Sequence, residues 1–358
     1  MENSESKIQK AKVSLSKKCM ICLLSLLVIL FACNAGFGQT GGSGTYQFLD
    51  LTNSAKVAAL GGDQVALSDN DVALTFYNPS LLSDSMRNQL SVNYVSYIAG
   101  IGVGYAAYAP NIKGKNAFAA AIHFVNYGNF EGASESGQLT GTFKAAEYAI
   151  NLFYSRQLTS RLRAGVNLKP IISSLESYHS FGLAVDLGMT YSSNDGHAVI
   201  SFVTKNIGHQ ITTYYQNGAY EKLPWDVQLG FSRLLNTAPV KFLVTADHLN
   251  RWDLSYLDLP TNLNAPNGSA ENFSSLLMRH LILGAEIVPE QHVTLRFGYN
   301  YHRRKDLAID GRPGLVGYSA GVGIKIARLN INYGIASYHP GTAAHYFSLT
   351  TTLSELIP

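Results

Sequence analysis

Residues 292–301 read HVTLRFGYNY, and their pattern is the clearest indication of the fold class. Apolar and aromatic side chains occupy every second position from Val293 to Tyr301, while His, Thr, Arg, Gly and Asn occupy the positions between them. A two-residue period is that of a β-strand, whereas an amphipathic helix repeats every 3.6 residues. The stretch therefore predicts a strand with one apolar face and one polar face.

The same alternation recurs along the chain from residue 89 to the end. It marks fourteen candidate strands, at 89–97, 101–109, 116–127, 143–158, 161–171, 181–191, 197–207, 224–235, 240–249, 279–288, 292–301, 318–327, 329–338 and 345–353. Bacterial single-chain membrane barrels have an even number of strands. The count therefore fits a closed barrel.

Connection lengths give a second indication. Connections after even-numbered strands are tight, as at 159–160 and 236–239, whereas most of those after odd-numbered strands are long: 128–141, 208–223, 250–278 and 302–317. Outer-membrane barrels have short periplasmic turns and longer external loops. We therefore predict an all-β fold, a 14-stranded antiparallel transmembrane β-barrel of the bacterial outer membrane. Its long loops would be extracellular, with the plug and the N-terminus on the periplasmic side.

Composition favours the membrane over a soluble β-sandwich, which is the alternative with the same alternation. Many of the 21 tyrosines lie near predicted strand ends, where an interfacial aromatic girdle would place them. Polar strand positions such as Asn151, Lys169 and Asp186 would then face the lumen. No stretch after the leader approaches the roughly 18 apolar residues that a spanning helix needs.

The N-terminus reads as a secretory signal peptide covering residues 1–38. Five lysines precede a charge-free apolar run at 19–32, and small residues Gly36 and Gly38 offer a cleavage point. The alternative is a lipoprotein signal, because Leu30-Phe31-Ala32 precedes Cys33. Either reading predicts export.

Removal of the leader changes the chemistry available to the chain. All three cysteines lie within it, so metal-thiolate sites and cysteine nucleophiles are excluded from the mature protein. Five of the 27 basic and two of the 24 acidic residues also leave, which gives 22 of each. This neutral balance without a basic patch gives no electrostatic basis for binding nucleic acid.

Catalytic signals are also missing from the sequence. The ten histidines are scattered without a metal-binding spacing, and no Gly-x-Ser-x-Gly elbow stands between a strand and a helix. We therefore expect no catalytic residues, no metal and no cofactor, and a protein that is not an enzyme.

Residues 39–88 form a predicted N-terminal plug segment, followed by the barrel at 89–354. Gly61 and Gly62 allow positive φ where a helix ends, and Asn78-Pro79 favours a turn. A piece of this size cannot bury a core of its own. We expect it to lodge inside the cylinder.

The plug carries the first resemblance. The runs AALGGDQVAL at 58–67 and FYNPSLL at 76–82 resemble the N-terminal hatch of the long-chain fatty acid transporter family, which is also fourteen-stranded. That family has Asn-Pro-Ala where this chain has Asn78-Pro79-Ser80, so the third position departs from its pattern. The resemblance implies an outer-membrane transporter for hydrophobic small molecules, in which the hatch gates a ligand path.

A narrower resemblance covers the stretch GGSGTYQFLDL at 41–51, which leads directly into the first run. It is similar to the Bacteroidetes type IX secretion branch of these barrels. That branch implies a non-enzymatic subunit that anchors a PorZ-like surface subunit, beside a sortase and a shuttle barrel that attach cargo to lipopolysaccharide.

Two predicted external loops carry candidate docking residues. The 250–278 loop contains Trp252, Tyr256 and Phe273, which would either fold over the barrel mouth or form the centre of a docking site. Arg303 and Arg304 lie in the densest basic run, at 302–305, which is either a solvated loop or a contact for lipopolysaccharide phosphates or an acidic partner.

Overall fold

The structure is a computed structural model that describes residues 44–353, except 113, 217, 253, 255–271, 291, 310 and 313. The predictions for the signal peptide, Cys33 and Tyr256 lie outside the described residues. Among the described residues, no helix is long and apolar enough to cross a membrane.

Fourteen antiparallel strands, β1 to β14, form one closed barrel, in which each strand pairs with its neighbours in sequence and β1 pairs with β14. The fold-class prediction is confirmed. The strands are Gln89–Ser96, Gly102–Ala109, Asn116–Ala133, Leu139–Gln157, Leu162–Leu175, Tyr178–Ser192, Ala198–Thr212, Asp226–Leu234, Val240–Ala246, Leu281–Glu290, Val293–Asn300, Tyr318–Ile326, Leu329–His339 and Thr342–Thr352.

The two faces of each strand separate as the alternation predicts. In β11, the side chains of Leu295 and Phe297 are exposed on the outside, whereas Arg296 and Asn300 are buried in the lumen. The same outward exposure holds for apolar residues around the wall, among them Val92, Phe118, Ile122, Leu152, Leu187, Ile200, Leu229, Phe242, Ile331 and Leu349. A lipid bilayer requires an apolar exterior, and it requires a closed sheet because closure leaves no edge with unpaired backbone groups. The barrel meets both requirements.

Most long connections follow an odd-numbered strand and lead into the next strand, so they lie at one end of the barrel. We call this the long-loop end, and we call the opposite end the short-turn end. One expected loop is shorter than predicted, and another contains a helix. β3 and β4 continue into the predicted 128–141 loop, because Phe130 pairs with Phe143 across the strands and their rings stack at 5.2 Å. In the predicted 302–317 loop, a helix over Tyr301–Leu307 forms because the Asn300 side chain accepts a hydrogen bond from the Arg303 N–H.

The chain before β1 fills the lumen, and we call residues 44–88 the hatch. It contains one short α-helix, α1 at Ala55–Ala59, and 3₁₀ turns at Gln47–Asp50, Val72–Phe76, Pro79–Leu81 and Asp84–Met86. The loops add α2 at Phe273–Arg279 and α3 at Tyr301–Leu307. Nearly every hatch side chain between residues 52 and 82 is buried, so the wall supplies the core that the hatch cannot build alone.

Candidate functional site in the barrel lumen

Gly61 and Gly62 make the turn that ends α1. Their φ angles are 104° and 123°, and the Gly62 N–H donates to the Val57 carbonyl at 3.0 Å. On the wall, Gly298 of β11 lies so close that a Cβ there would stand 2.1 Å from the Gly61 nitrogen. The backbones of the hatch and of β11 are in direct contact here, and a side chain at Gly61 or Gly298 would prevent that contact.

Asn78 and Pro79 form the second fixed point of the hatch. The Asn78 side chain accepts from the Ser80 N–H at 3.0 Å and donates to the Val65 carbonyl at 2.8 Å and to Thr190 Oγ1 at 3.0 Å. The wall residue Gly165 leaves room for the Pro79 carbonyl, which would lie 2.4 Å from a Cβ. Sequence reasoning found the turn but missed these wall partners, because they lie far away in the chain and no local pattern marks them.

One side of the lumen holds the hatch through buried charges, and we call it the ion-paired face. It consists of Lys169 and Asp186, joined at 2.7 Å, and of Lys205, which pairs with hatch residue Asp63 at 3.1 Å. Both lysines are at most 1% exposed. A buried charge is tolerated only when it is paired and hydrogen-bonded. The Lys205–Asp63 pair therefore fixes the hatch to the wall, whereas Lys169–Asp186 joins the wall strands β5 and β6.

Asn206 extends this face to the first turn of the hatch. Its Oδ1 accepts from Lys169 Nζ at 2.7 Å, and its Nδ2 donates to Asp50 Oδ1 at 3.0 Å. Burial raises the pKa of Asp50 to about 6, although the Lys205 charge opposes the shift. The carboxyl of Asp50 thus changes charge in the mildly acidic range.

A second charge group lies where the hatch approaches β1 and β14. Lys56 Nζ contacts Asp69 at 2.7 Å and Asp71 at 2.9 Å. The Lys56 charge holds the pKa of Asp69 well below its usual range, against the effect of burial. Burial lowers the pKa of Lys56, but the two carboxylates outweigh it and raise that pKa above its usual value.

The lumen side of β1 to β3 has no such ion pair among the described residues, and we call it the unpaired face. It is formed by Asn93 of β1, Tyr105 of β2 and His123 of β3, with Asn93 opposite Tyr105 and Tyr105 opposite His123 in register. Among the described residues, no hydrogen-bond partner meets either amide atom of Asn93 or either ring nitrogen of His123. Instead, His123 packs against hatch aromatics, with its ring 5.0 Å from that of Phe76.

The first described residues of the hatch lie at the long-loop end. Gly44 bridges Lys222 in the connection between β7 and β8, and the Thr45 N–H donates to the Lys222 carbonyl at 3.0 Å. Residues 44–51 therefore lie at the long-loop end of the lumen, and the periplasmic placement of the plug and the N-terminus stays a prediction. The sequence carries no sign of the bridge, because it joins two segments far apart in the chain.

Residues 44–51, which we call the strap, fill the long-loop half of the lumen. The strap side chains Tyr46, Phe48 and Leu49 are at most 2% exposed. They belong to an apolar cluster with wall residues Val95, Val103, Val125, Ala149, Ile171 and Ala184. This half of the lumen is therefore an apolar chamber, occupied by the protein's own chain.

The candidate docking residues occupy the long-loop end. Trp252 and Phe273 contact each other, with ring centroids 5.4 Å apart, and remain 49% and 68% exposed. Trp252 also stacks on the buried His280 at 5.4 Å, which anchors the pair to the barrel. Arg303 and Arg304 belong to α3 and point in different directions, so the structure does not bring them together as one basic surface.

Metal chemistry finds no support in the part of the chain that the structure describes. There, no group of three or more His, Asp or Glu side chains is arranged to hold a metal ion.

Comparison with solved structures identifies the barrel type. The toluene transporter TbuX of Ralstonia pickettii superposes with a TM-score of 0.50 at 12% identity, covering 85% of this chain and 99% of the transporter. The fold is that of outer-membrane hydrocarbon transporter barrels. The toluene transporter TodX of Pseudomonas putida gives 0.50 at 13% identity, with 84% and 97% covered.

A Pseudomonas aeruginosa FadL homologue covers 84% of this chain and 98% of its own, with a TM-score of 0.48 and 9% identity. No protein-family model and no curated protein matches the sequence.

Proposed function

We propose that this protein carries hydrophobic small molecules across the bacterial outer membrane. The observation that carries the proposal is the apolar chamber, whose occupant is the strap and not side chains of the wall. A chamber of this kind can bind an apolar ligand when the strap moves out of it. The likeness in fold to TbuX and TodX, which are toluene transporters, supports the same function.

The test is uptake of toluene by intact cells that carry this barrel and lack other barrels of its type. Phe48→Ala shortens a strap side chain inside the chamber and should change the uptake rate several-fold. Tyr220→Ala, at a side chain 59% exposed outside the lumen, is the control and should leave uptake unchanged. Uptake no faster than in cells without the barrel would overturn the proposal.

A second candidate is the secretion role that the narrower resemblance implies. We propose it as a PorQ-like, non-enzymatic subunit of a type IX secretion system, with its long loops outside the cell. The exposed pair Trp252 and Phe273 favours it, because aromatic side chains held out of the lumen and anchored on a buried residue suit the centre of a protein interface. The partners would be a PorZ-like surface subunit, the sortase and shuttle barrel, and lipopolysaccharide.

Tagged protein purified from its own membranes tests this second role. The double variant Trp252→Ala/Phe273→Ala should lose the PorZ-like subunit from the purified complex. Trp225→Ala removes another tryptophan that is 44% exposed and should retain it. Recovery of the complete complex with the double variant, or the absence of any such partner from the unmodified protein, would contradict docking at this pair.

A further inference from the structure

The basic run 302–305 divides within α3. Arg304 donates to the carbonyls of Gly314 and Val316 at 2.8 and 3.1 Å, and Lys305 is exposed. Arg303 turns the other way. Its Cζ lies 4.1 Å above the centre of the Tyr338 ring, and one guanidinium nitrogen lies 3.0 Å from where a Cβ on hatch residue Gly62 would stand.

Among the described residues, the Arg303 guanidinium has no anionic partner. Nη1 is buried without a hydrogen bond, and the described residues place no carboxylate in an ion pair with Arg303. A partly buried cation without a partner is costly, and a cation–π contact offsets only part of that cost. An anion beside Arg303 would offset the rest.

Tyrosines frame the same position. The ring of Tyr97 lies 5.1 Å from that of Tyr338, whose hydroxyl is 2.9 Å from the hydroxyl of Tyr346. Tyr97 and Tyr338 are only half-buried, so the frame is open at the mouth of the lumen. The planar guanidinium matches the two oxygens of a carboxylate or phosphate, and aromatic faces favour a ring beside that anion.

We propose that Arg303, Tyr97 and Tyr338 form a binding site for an aromatic acid, meaning a carboxylate or phosphate carried on a ring. The site is separate from the chamber under the strap, which suits uncharged ligands. Binding at this site does not require that the ligand pass through the barrel. The proposal can therefore be tested independently of toluene uptake.

Ligand-observed NMR titration of the full-length protein in a nonionic detergent tests the site. The probes are benzoate, phenyl phosphate and the neutral benzamide. We expect the two anions to bind at least tenfold more tightly than benzamide. Arg303→Gln should weaken the anions at least tenfold and leave benzamide unchanged. Lys305→Gln, which removes the same charge from an exposed position of α3, should change neither.

Equal affinity for benzoate and benzamide, or unchanged benzoate binding in Arg303→Gln, would overturn the proposal. The melting temperatures of the two variants establish that both barrels are folded, and Tyr338→Leu, which should also weaken benzoate, gives a readout that leaves the arginine in place. Repeating the titration in phosphatidylglycerol and phosphatidylcholine nanodiscs separates sources of the anion. Weaker benzoate binding in phosphatidylglycerol supports a lipid headgroup as occupant, and equal binding supports a free acid.

Discussion

The two faces of the lumen hold the same hatch in opposite ways. On the ion-paired face, every buried charge that contacts the hatch has a partner within hydrogen-bond distance, as in Lys205 with Asp63. On the unpaired face, Asn93 and His123 are equally buried, but their polar atoms have no partner among the described residues.

The contrast shows that burial alone does not measure how firmly two surfaces hold each other. If the hatch moved away from the ion-paired face, buried charges would lose their partners. If it moved away from the unpaired face, polar groups without a hydrogen bond could bond to water instead. The hatch is therefore held by charge at Lys205 of β7 and by packing around Asn93 and His123, whose polar atoms make no hydrogen bond among the described residues. Two measurements of stability examine this difference, and a third examines the charge group within the hatch.

The largest effect is expected for Lys169→Met. The substitution leaves Asp186 as a buried carboxylate without its cation, which costs about 3–5 kcal/mol. The free energy of unfolding of the barrel in detergent, measured by urea titration, should fall by that amount. The double variant Lys169→Met/Asp186→Leu should recover most of the loss. A single variant as stable as the original protein would mean that the buried pair on the ion-paired face does not stabilise the barrel.

A smaller effect of opposite sign is expected for His123→Phe on the unpaired face. The ring keeps its packing against Phe76 and loses two nitrogens that have no hydrogen bond, each a source of desolvation cost. The same titration should show a gain of about 1 kcal/mol in the free energy of unfolding. A loss of several kcal/mol would show that His123 has a partner in solution and that the two faces are alike.

The smallest effect concerns pH and the Lys56–Asp69 pair. Because the folded pKa of Asp69 lies below its ordinary value of 3.8, its contribution is complete above that value and is lost as the pH falls below it. Lys56 has a raised pKa, so its contribution is lost only as the pH rises above its ordinary 10.5. The unfolding free energy of Asp69→Asn should fall less between pH 5 and 3 than that of the original protein. Identical slopes would exclude this pair as the cause.

The sequence predicted the barrel well, because strand period and connection length are local properties. The alternation at 292–301 placed Arg296 and Asn300 inside and Phe297 outside, as the structure has them. Only the end of that stretch differs. Tyr301 continues the alternation, yet the Asn300 cap begins a helix there.

The candidate site was predicted only in outline. The turns were predicted at Gly61, Gly62, Asn78 and Pro79, because the backbone preferences of glycine, asparagine and proline favour turns. Their wall partners, such as Gly298 and Thr190, are hundreds of residues away or on unrelated strands, and no local pattern marks them. The sequence also did not predict that Arg303 points towards the hatch, because a run of basic residues does not show the direction of each side chain.

The path of the hatch bears on how the barrel is assembled. Gly44 lies at the long-loop end, while Arg87, just before β1, contacts the turn after β2 at the opposite end. The chain is thus threaded along the cylinder. If the barrel closed first, its free N-terminus would have to travel the whole length of a narrow lumen.

The joint between β1 and β14 offers a simpler order of events. Hatch residue Val72 donates to Gln89 of β1 at 3.0 Å, and Asp71 accepts from Thr350 of β14 at 3.1 Å. Two neighbouring residues of the hatch thereby hold the first and last strands side by side. We expect the sheet to form around the hatch, with the pairing of β1 and β14 made last.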